Sequence, residues 1–296
     1  MFLSKKYASM ESIPIRHIQE IPKEPALSGS FSIRNIEELL EEKDMIQDLH
    51  RHDFYYILVL EKGSGAHEID FTPYEIHDHS IFLMRPGQVH QLTLKSDSTG
   101  YLVQFKNDFF YTQNKLSQEL LRKVSHINFC NLDGTGLKKM EAILSNILNE
   151  YKEKQEGYQE VIKSNLSIFF IELVRHRQNK KVKPNSTSQY AQEQLEKFLE
   201  LLEINITKNK QVSQYADMLN ISAYQLNAIT KTLLNKTPSD LINEHIILES
   251  KRQLLATSNQ VNQIADHLGY DDISYFIRFF KKHTNYSPEA FRNNSK

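Results

Sequence analysis

The sequence predicts an α+β chain of two domains. An N-terminal antiparallel β-sandwich or barrel is followed by two helices, and an all-α C-terminal domain holds two helix-turn-helix units joined by a long helix. Three observations carry this. Short apolar or alternating runs fill the stretch from Phe54 to Phe105, and beyond residue 107 the apolar period lengthens to that of a helix. The third is a repeat: "YADMLNISAYQLNAITKTLLNKTP" at 215–238 returns about fifty residues on as "IADHLGYDDISYFIRFFKKHTNYSP" at 264–288. At 296 residues the chain exceeds one typical core, which agrees with two domains.

Composition narrows the class. Hydrophobic residues at 40% and charged residues at 25% are ordinary for a globular chain, so disorder is not expected. "MFLSKKYASM" has no apolar leader region, and no stretch approaches the ~18 apolar residues of a membrane helix. A cytoplasmic protein without membrane partners is the expectation. Cys130, the single cysteine, has no internal disulfide partner and reads as a small buried hydrophobe. The net charge of -1 hides an asymmetry: residues 1–179 hold 21 Lys+Arg against 25 Asp+Glu, and residues 180–296 hold 15 against 12. The halves are therefore about -4 and +3, a modest positive balance where a nucleic-acid module would need it.

In chain order, the first ~50 residues are expected to add edge strands and irregular structure. "FYYILVL", "AHEIDF", "SIFLM", "HQLTLK" and "GYLVQF" then read as strands, separated by "EKGSG", "HDHS", "RPGQ" and "DSTG", whose Gly, Pro, Asp and Ser make turns. Met140, Ile143, Leu144, Ile147, Leu148 and Tyr151 make one helical stripe; Val161, Ile162, Leu166, Phe169, Phe170 and Leu173 make a second. Those stripes pack on the sheets or offer a dimer face. Residues 179–189, basic and then rich in Ser, Asn and Pro, read as a linker between a domain over 1–178 and one over 190–296.

The repeat is informative in its offsets. Ala216 answers to Ala265 and Leu219 to Leu268, 49 apart, whereas Lys231 answers to Lys281 and Pro238 to Pro288, 50 apart. One residue is added between a first and a second helix, and Ser222 and Asp272 stand where the second helices need an N-cap oxygen. In the first copy Leu226, Ile229, Thr230 and Leu233 face inward and Tyr224, Asn227, Ala228 and Lys231 outward. In the second, Ile273, Phe276 and Phe280 face inward and Ser274, Arg278 and Lys282 outward. Between the copies, Thr237, Pro238 and the stripe Leu241, Ile242, His245, Ile246, Leu248 and Leu255 predict a capped helix of roughly 20 residues. Such a helix is about 30 Å long, close to the ~34 Å repeat of duplex DNA.

With "IADHLGY", Ser274, Phe276, Arg278, "FFKK", "SP" and "FR" in the second copy, and "ADMLNIS", Leu226, Lys231 and "TPSDLI" in the first, residues 190–293 resemble the DNA-binding domain of the AraC/XylS family of bacterial transcription regulators. The family usually has Gly where this chain has Asn235 and Asn285, and often Phe where it has Thr230. Asn tolerates the left-handed backbone best after Gly; Thr230 is expected to loosen the first unit. The resemblance implies base-reading roles for Tyr224, Asn227 and Ala228 and for Ser274, Tyr275 and Arg278. Of these Arg278 suits bidentate pairing with guanine. Lys231, Lys281, Lys282 and His283 are the candidates for phosphate contacts.

The resemblance also implies a cupin-like N-terminal barrel that takes a small-molecule effector, and "LHRHDFYYILVLEKGSG" with "RPGQVHQL" resembles that part. His50 and His52 alternate on a strand and so share a face, while His90 matches the third ligand position of metal cupins. The carboxylate of metal cupins is missing, with Tyr56 and Ile57 in its place, so no metal and no cofactor are assigned. An effector pocket built from His50, His52, Tyr55, Arg85 and His90 is expected instead. His67, His77 and His79 are placed on turns and exposed faces. No nucleotide loop, Ser/His/Asp order or Cys/His zinc spacing appears. The reading is a non-enzymatic, effector-controlled regulator whose partners are double-stranded DNA, RNA polymerase where it activates, and a second copy through the helices at 136–178. Activation is the commoner mode in the family. The alternative is a metal-dependent cupin enzyme with an attached helical domain.

Overall fold

The computed structural model describes residues 14–18, 29–110, 115–125, 127–180 and 186–294. The chain divides into two compact units, one over Pro14–Val182 and one that includes Lys183–Lys296. In the first unit the elements run β1 (Ile15–Arg16), β2 (Phe31–Asn35), α1 (Ile36–Leu40), β3 (Met45–His52), β4 (Tyr55–Lys62), β5 (Gly65–Ile69), β6 (Thr72–Ile76), β7 (Ser80–Met84), β8 (Val89–Leu94) and β9 (Thr99–Phe105). They continue with α2 (Asn107–Phe110), α3 (Lys115–Ser125), β10 (Phe129–Asn131), α4 (Gly134–Glu153) and α5 (Tyr158–Lys180).

The strands form two five-stranded sheets, β1-β3-β8-β5-β6 and β10-β7-β4-β9-β2. Among the described residues no ladder closes them into a barrel. The expected barrel is thus a sandwich, and one pairing, β1 with β3, is parallel rather than antiparallel. A reason stands at one edge: β6 carries Pro73, which has no N–H to donate to a further strand.

Alternation along β4 divides two cores. Tyr56, Leu58 and Leu60 join Phe54, Phe82 and Leu92 between the sheets. Tyr55, Ile57 and Val59 project from the opposite face, where α3, α4 and α5 cover the second sheet with Leu121, Leu144, Ile147, Phe169 and Phe170. Most of both helical stripes predicted from sequence is spent on this core. Val161 is the exception within its stripe, being exposed. Cys130 is half-buried rather than buried.

The second unit runs α6 (Ser186–Asn205), α7 (Val212–Met218), α8 (Ala223–Leu234), α9 (Pro238–Ala256), α10 (Val261–His267), α11 (Ile273–Thr284) and α12 (Pro288–Asn294). The expected linker at 179–189 is invaded from both sides, because α5 extends to Lys180 and α6 starts at Ser186; 181–185 lie outside the described residues. Two cores result. Leu241, Ile242 and Ile246 from the first half of α9 pack with Phe198, Tyr215 and Leu226, and Ile247 and Leu254 from its second half pack with Ile264, Leu268, Phe276 and Phe280. Partly buried Tyr270 and Phe279 touch both clusters. The 19 residues of α9 span about 28 Å.

Candidate functional site

Each second helix of the repeat is fixed at both ends by its own sequence. Ser222 caps α8, its Oγ accepting from the Gln225 N–H while the Gln225 side chain accepts from the Ser222 N–H. Asp272 caps α11 by accepting from the Ser274 N–H. At the other ends Asn235 (φ 55°) and Asn285 (φ 65°) take the left-handed conformation and return N–H groups to the carbonyls of Lys231 and Lys281. The substitution of Asn for Gly therefore costs the geometry nothing.

These caps set which side chains face outward. On α8, Leu226 and Thr230 are fully buried, and Tyr224, Asn227, Ala228 and Lys231 are exposed, Tyr224 at 82%. The hydroxyl of Thr230 donates to the Asn227 carbonyl, so the polar group that replaces an aromatic ring is satisfied inside the core. On α11, Phe276 and Phe280 are buried, while Ser274, Tyr275, Arg278, Lys281, Lys282 and His283 are exposed. Ile273 departs from the predicted inner stripe: at the first turn of α11 it is 42% exposed. The structure thus places all six expected base-contact residues and all four expected phosphate-contact residues on exposed helix positions.

The Arg278 guanidinium lies 3.7 Å from the Asp272 carboxylate, with both side chains largely exposed. A pair of this kind is weak and exchanges readily for another anion. Within the C-terminal unit, the turn of the second helix-turn-helix is also fastened to the lead-in of the first helix-turn-helix, which sequence reasoning missed. Lys210 donates to the Gly269 carbonyl at 2.8 Å, and its ammonium sits 4.9 Å from the centre of the Tyr270 ring. Burial lowers the Lys210 pKa and raises that of Tyr270.

In the first unit the sheet register collects histidines. His50 on β3 stands opposite His90 on β8, and His90 stands opposite Ile69, two residues along from His67 on β5. His90 Nε2 lies 2.8 Å from His52 Nε2 and 3.0 Å from His50 Nε2, and His90 Nδ1 lies 2.8 Å from His67 Nε2. His50 Nδ1–H donates to the Asp48 carbonyl at 2.7 Å. Burial, first of all, pushes His50 down to about 4 and His52 and His67 to about 3, and holds His90 well below its ordinary value.

Two expectations are corrected by this geometry. His67 is fully buried within the cluster, not on an exposed face; as at His50 and His52, alternation along its strand with Ile69 is the signal that reveals it. Tyr55 does not join the histidines. Its ring stacks on Phe105 beneath the helices, and neighbouring Tyr56 instead lies 5.4 Å from the His52 and His90 rings. The shift by one residue reverses the face, as the pleat requires. Arg85 is half-buried in the turn before β8, its N–H bonded to the Gln88 side chain. His77 and His79 lie at the β6–β7 turn, His77 exposed as expected and His79 partly so.

Comparison with known proteins agrees with both halves. Residues 39–167 match the family model for the AraC-like ligand binding domain, and residues 215–294 match that for the helix-turn-helix domain. The HTH-type transcriptional activator RhaS of Pectobacterium carotovorum subsp. carotovorum (strain PC1) is 22% identical over 253 residues, covering 82% of this chain and 87% of its own. RhaS of Yersinia pestis (strain Pestoides F) is 23% identical over 247 residues, covering 82% and 88%. Among solved structures, ToxT from Vibrio cholerae aligns with a TM-score of 0.42 at 20% identity, over 89% of this chain and 98% of its own. A ligand-binding domain followed by a doubled helix-turn-helix, each matched in its own right, makes this chain a member of the AraC/XylS family of DNA-binding transcription regulators.

Proposed function

We propose that one protomer reads two successive major grooves, with α8 and α11 as recognition helices, and that a small-molecule effector bound by the N-terminal domain controls this reading. The observation that carries the proposal is the pair of capped helices with exposed polar faces at either end of the ~28 Å helix α9, close to one DNA turn. Tyr224, Asn227 and Ala228 on α8 and Ser274, Tyr275 and Arg278 on α11 make the base contacts. Lys231, Lys281, Lys282 and His283 hold phosphates.

The chain acts as an activator, like the RhaS proteins it is similar to, and RNA polymerase is its partner in that role. It has no catalytic function of its own and works in the cytoplasm; no helix among the described residues is long and apolar enough to cross a membrane. It pairs as a homodimer through the outer face of α5, where Val161 and Ile168 are exposed seven residues apart. An effector controls DNA binding only through a difference in its affinity for two arrangements of the chain. Hydroxyl-radical footprinting of the full chain tests the reading of two grooves: two protected tracts about ten base pairs apart per protomer are expected, and a single tract contradicts it.

A further inference from the structure

We propose that His50, His52 and His90 form a binding site for one divalent first-row transition ion, with His67 as the residue that orients His90. The proposal goes beyond the DNA-binding reading and does not depend on it.

Lone pairs decide what the cluster can hold. A carbonyl only accepts, so the 2.7 Å contact with the Asp48 carbonyl puts the His50 proton on Nδ1 and leaves a lone pair on Nε2. His90 Nε2 faces that lone pair at 3.0 Å and His52 Nε2 at 2.8 Å. A proton on His90 Nε2 points well at only one of them. If instead His90 carries its proton on Nδ1, it donates to His67 Nε2 at 2.8 Å, and its own Nε2 is a lone pair beside that of His50 and the one His52 offers once its Nε2 is deprotonated. Three ring nitrogens then lie within 4.8 Å of one another, with His90 between His50 and His52. Nitrogens bound to one ion at about 2.0–2.1 Å stand about 3 Å apart, which is the spacing of His90 from each of its neighbours. The His67 contact has the form that ligating histidines require, in which the second ring N–H is held by an outer partner.

The donor set selects the ion. Three imidazoles without a carboxylate or thiolate are a poor cage for Mg²⁺ or Ca²⁺ and a good one for Zn²⁺, Co²⁺, Ni²⁺ or Fe²⁺. The cluster lies between the sheets among Phe54, Tyr56 and Phe82, so the ring orientations are fixed by packing. Arg16 on β1 adds positive charge nearby, which favours hydroxide or another anion as a remaining ligand.

The test uses the full chain, stripped with EDTA and titrated with Co²⁺ and then Zn²⁺. One Co²⁺ per chain, a d–d absorption band, and X-ray absorption showing nitrogen neighbours at about 2.0–2.1 Å are expected, with Zn²⁺ displacing the band. His90→Gln and His50→Gln each weaken binding by about 100-fold or more, His67→Phe weakens it by about 10–100-fold, and His67→Gln, which keeps an acceptor for the His90 N–H, recovers most of that loss. Absence of a stoichiometric ion in the wild-type chain overturns the proposal. So does an ion retained with unchanged spectrum in a folded double variant His50→Gln/His90→Gln, because exposed histidines such as His77 then hold it. The wild-type stoichiometry and spectrum decide the matter even where a variant fails to fold, and neither measures DNA binding.

Discussion

Arg278 is exposed on α11 and pairs weakly with the exposed Asp272, a carboxylate it can exchange for a base edge. Arg278→Ala is expected to cost about 1–3 kcal/mol on the preferred duplex and to relax preference at one position, whereas Lys282→Ala weakens all sequences alike and lowers the salt slope by about 1; competition binding at several salt concentrations separates the two. The histidine cluster makes its own prediction. Its imidazoles stay neutral in the folded chain below the ordinary value of 6.5, while the unfolded chain takes up protons there. Above about pH 6.5 neither state is charged and the cluster contributes no pH dependence. Between about pH 6.5 and 4 the metal-free N-terminal unit therefore loses stability, by up to about 1.4 kcal/mol per pH unit for each histidine. Urea titrations of the chelated protein check this: the midpoint falls on acidification in wild type and falls less steeply in His67→Phe.

Each helix-turn-helix unit depends on its caps and on one turn between its helices. Ser222→Ala removes an acceptor from the start of α8 and is expected to destabilise the helical unit by about 1 kcal/mol. Gly269 (φ 71°) ends α10 where an added Cβ would collide with the Thr207 carbonyl oxygen. Its counterpart Asn220 (φ 53°) meets the same backbone demand with a side chain. Gly269→Ala costs about 1–2 kcal/mol from the backbone alone and more from the collision; thermal melts of the full chain measure both. This level of structure was largely legible in the sequence, because caps, positive-φ positions and helical stripes are local. Ser222, Asp272, Thr237, Asn235 and Asn285 all take the roles their residue types suggest. What escaped depends on partners distant in sequence. His67 looks like a polar residue in a short strand until β8 is laid beside it, and Tyr55 and Tyr56 are told apart only by which face the helices cover. The exposed Ile273 follows the period of α11 but sits at its first turn, beyond the reach of the core.

The two units divide the work as their sequences do. One holds a buried polar cluster inside an apolar sandwich, and the other spreads polar and basic side chains over two similar helices. The added residue between the helices of the second repeat leaves the fold of each unit intact, and α9 gives half of its buried face to each core. The spacing of the two exposed helix faces is therefore built into one element, and the proposed reading predicts a preferred operator of two short blocks about ten base pairs apart. The most direct test is selection of duplex DNA from a random pool by the full chain, in parallel with Arg278→Ala, at one fixed salt concentration, since phosphate contacts alone make affinity strongly salt-dependent. Two blocks at that spacing, with only one of them relaxed in the variant, are the predicted result. A single block, or identical motifs from both proteins, would contradict the claim that α8 and α11 each read a groove.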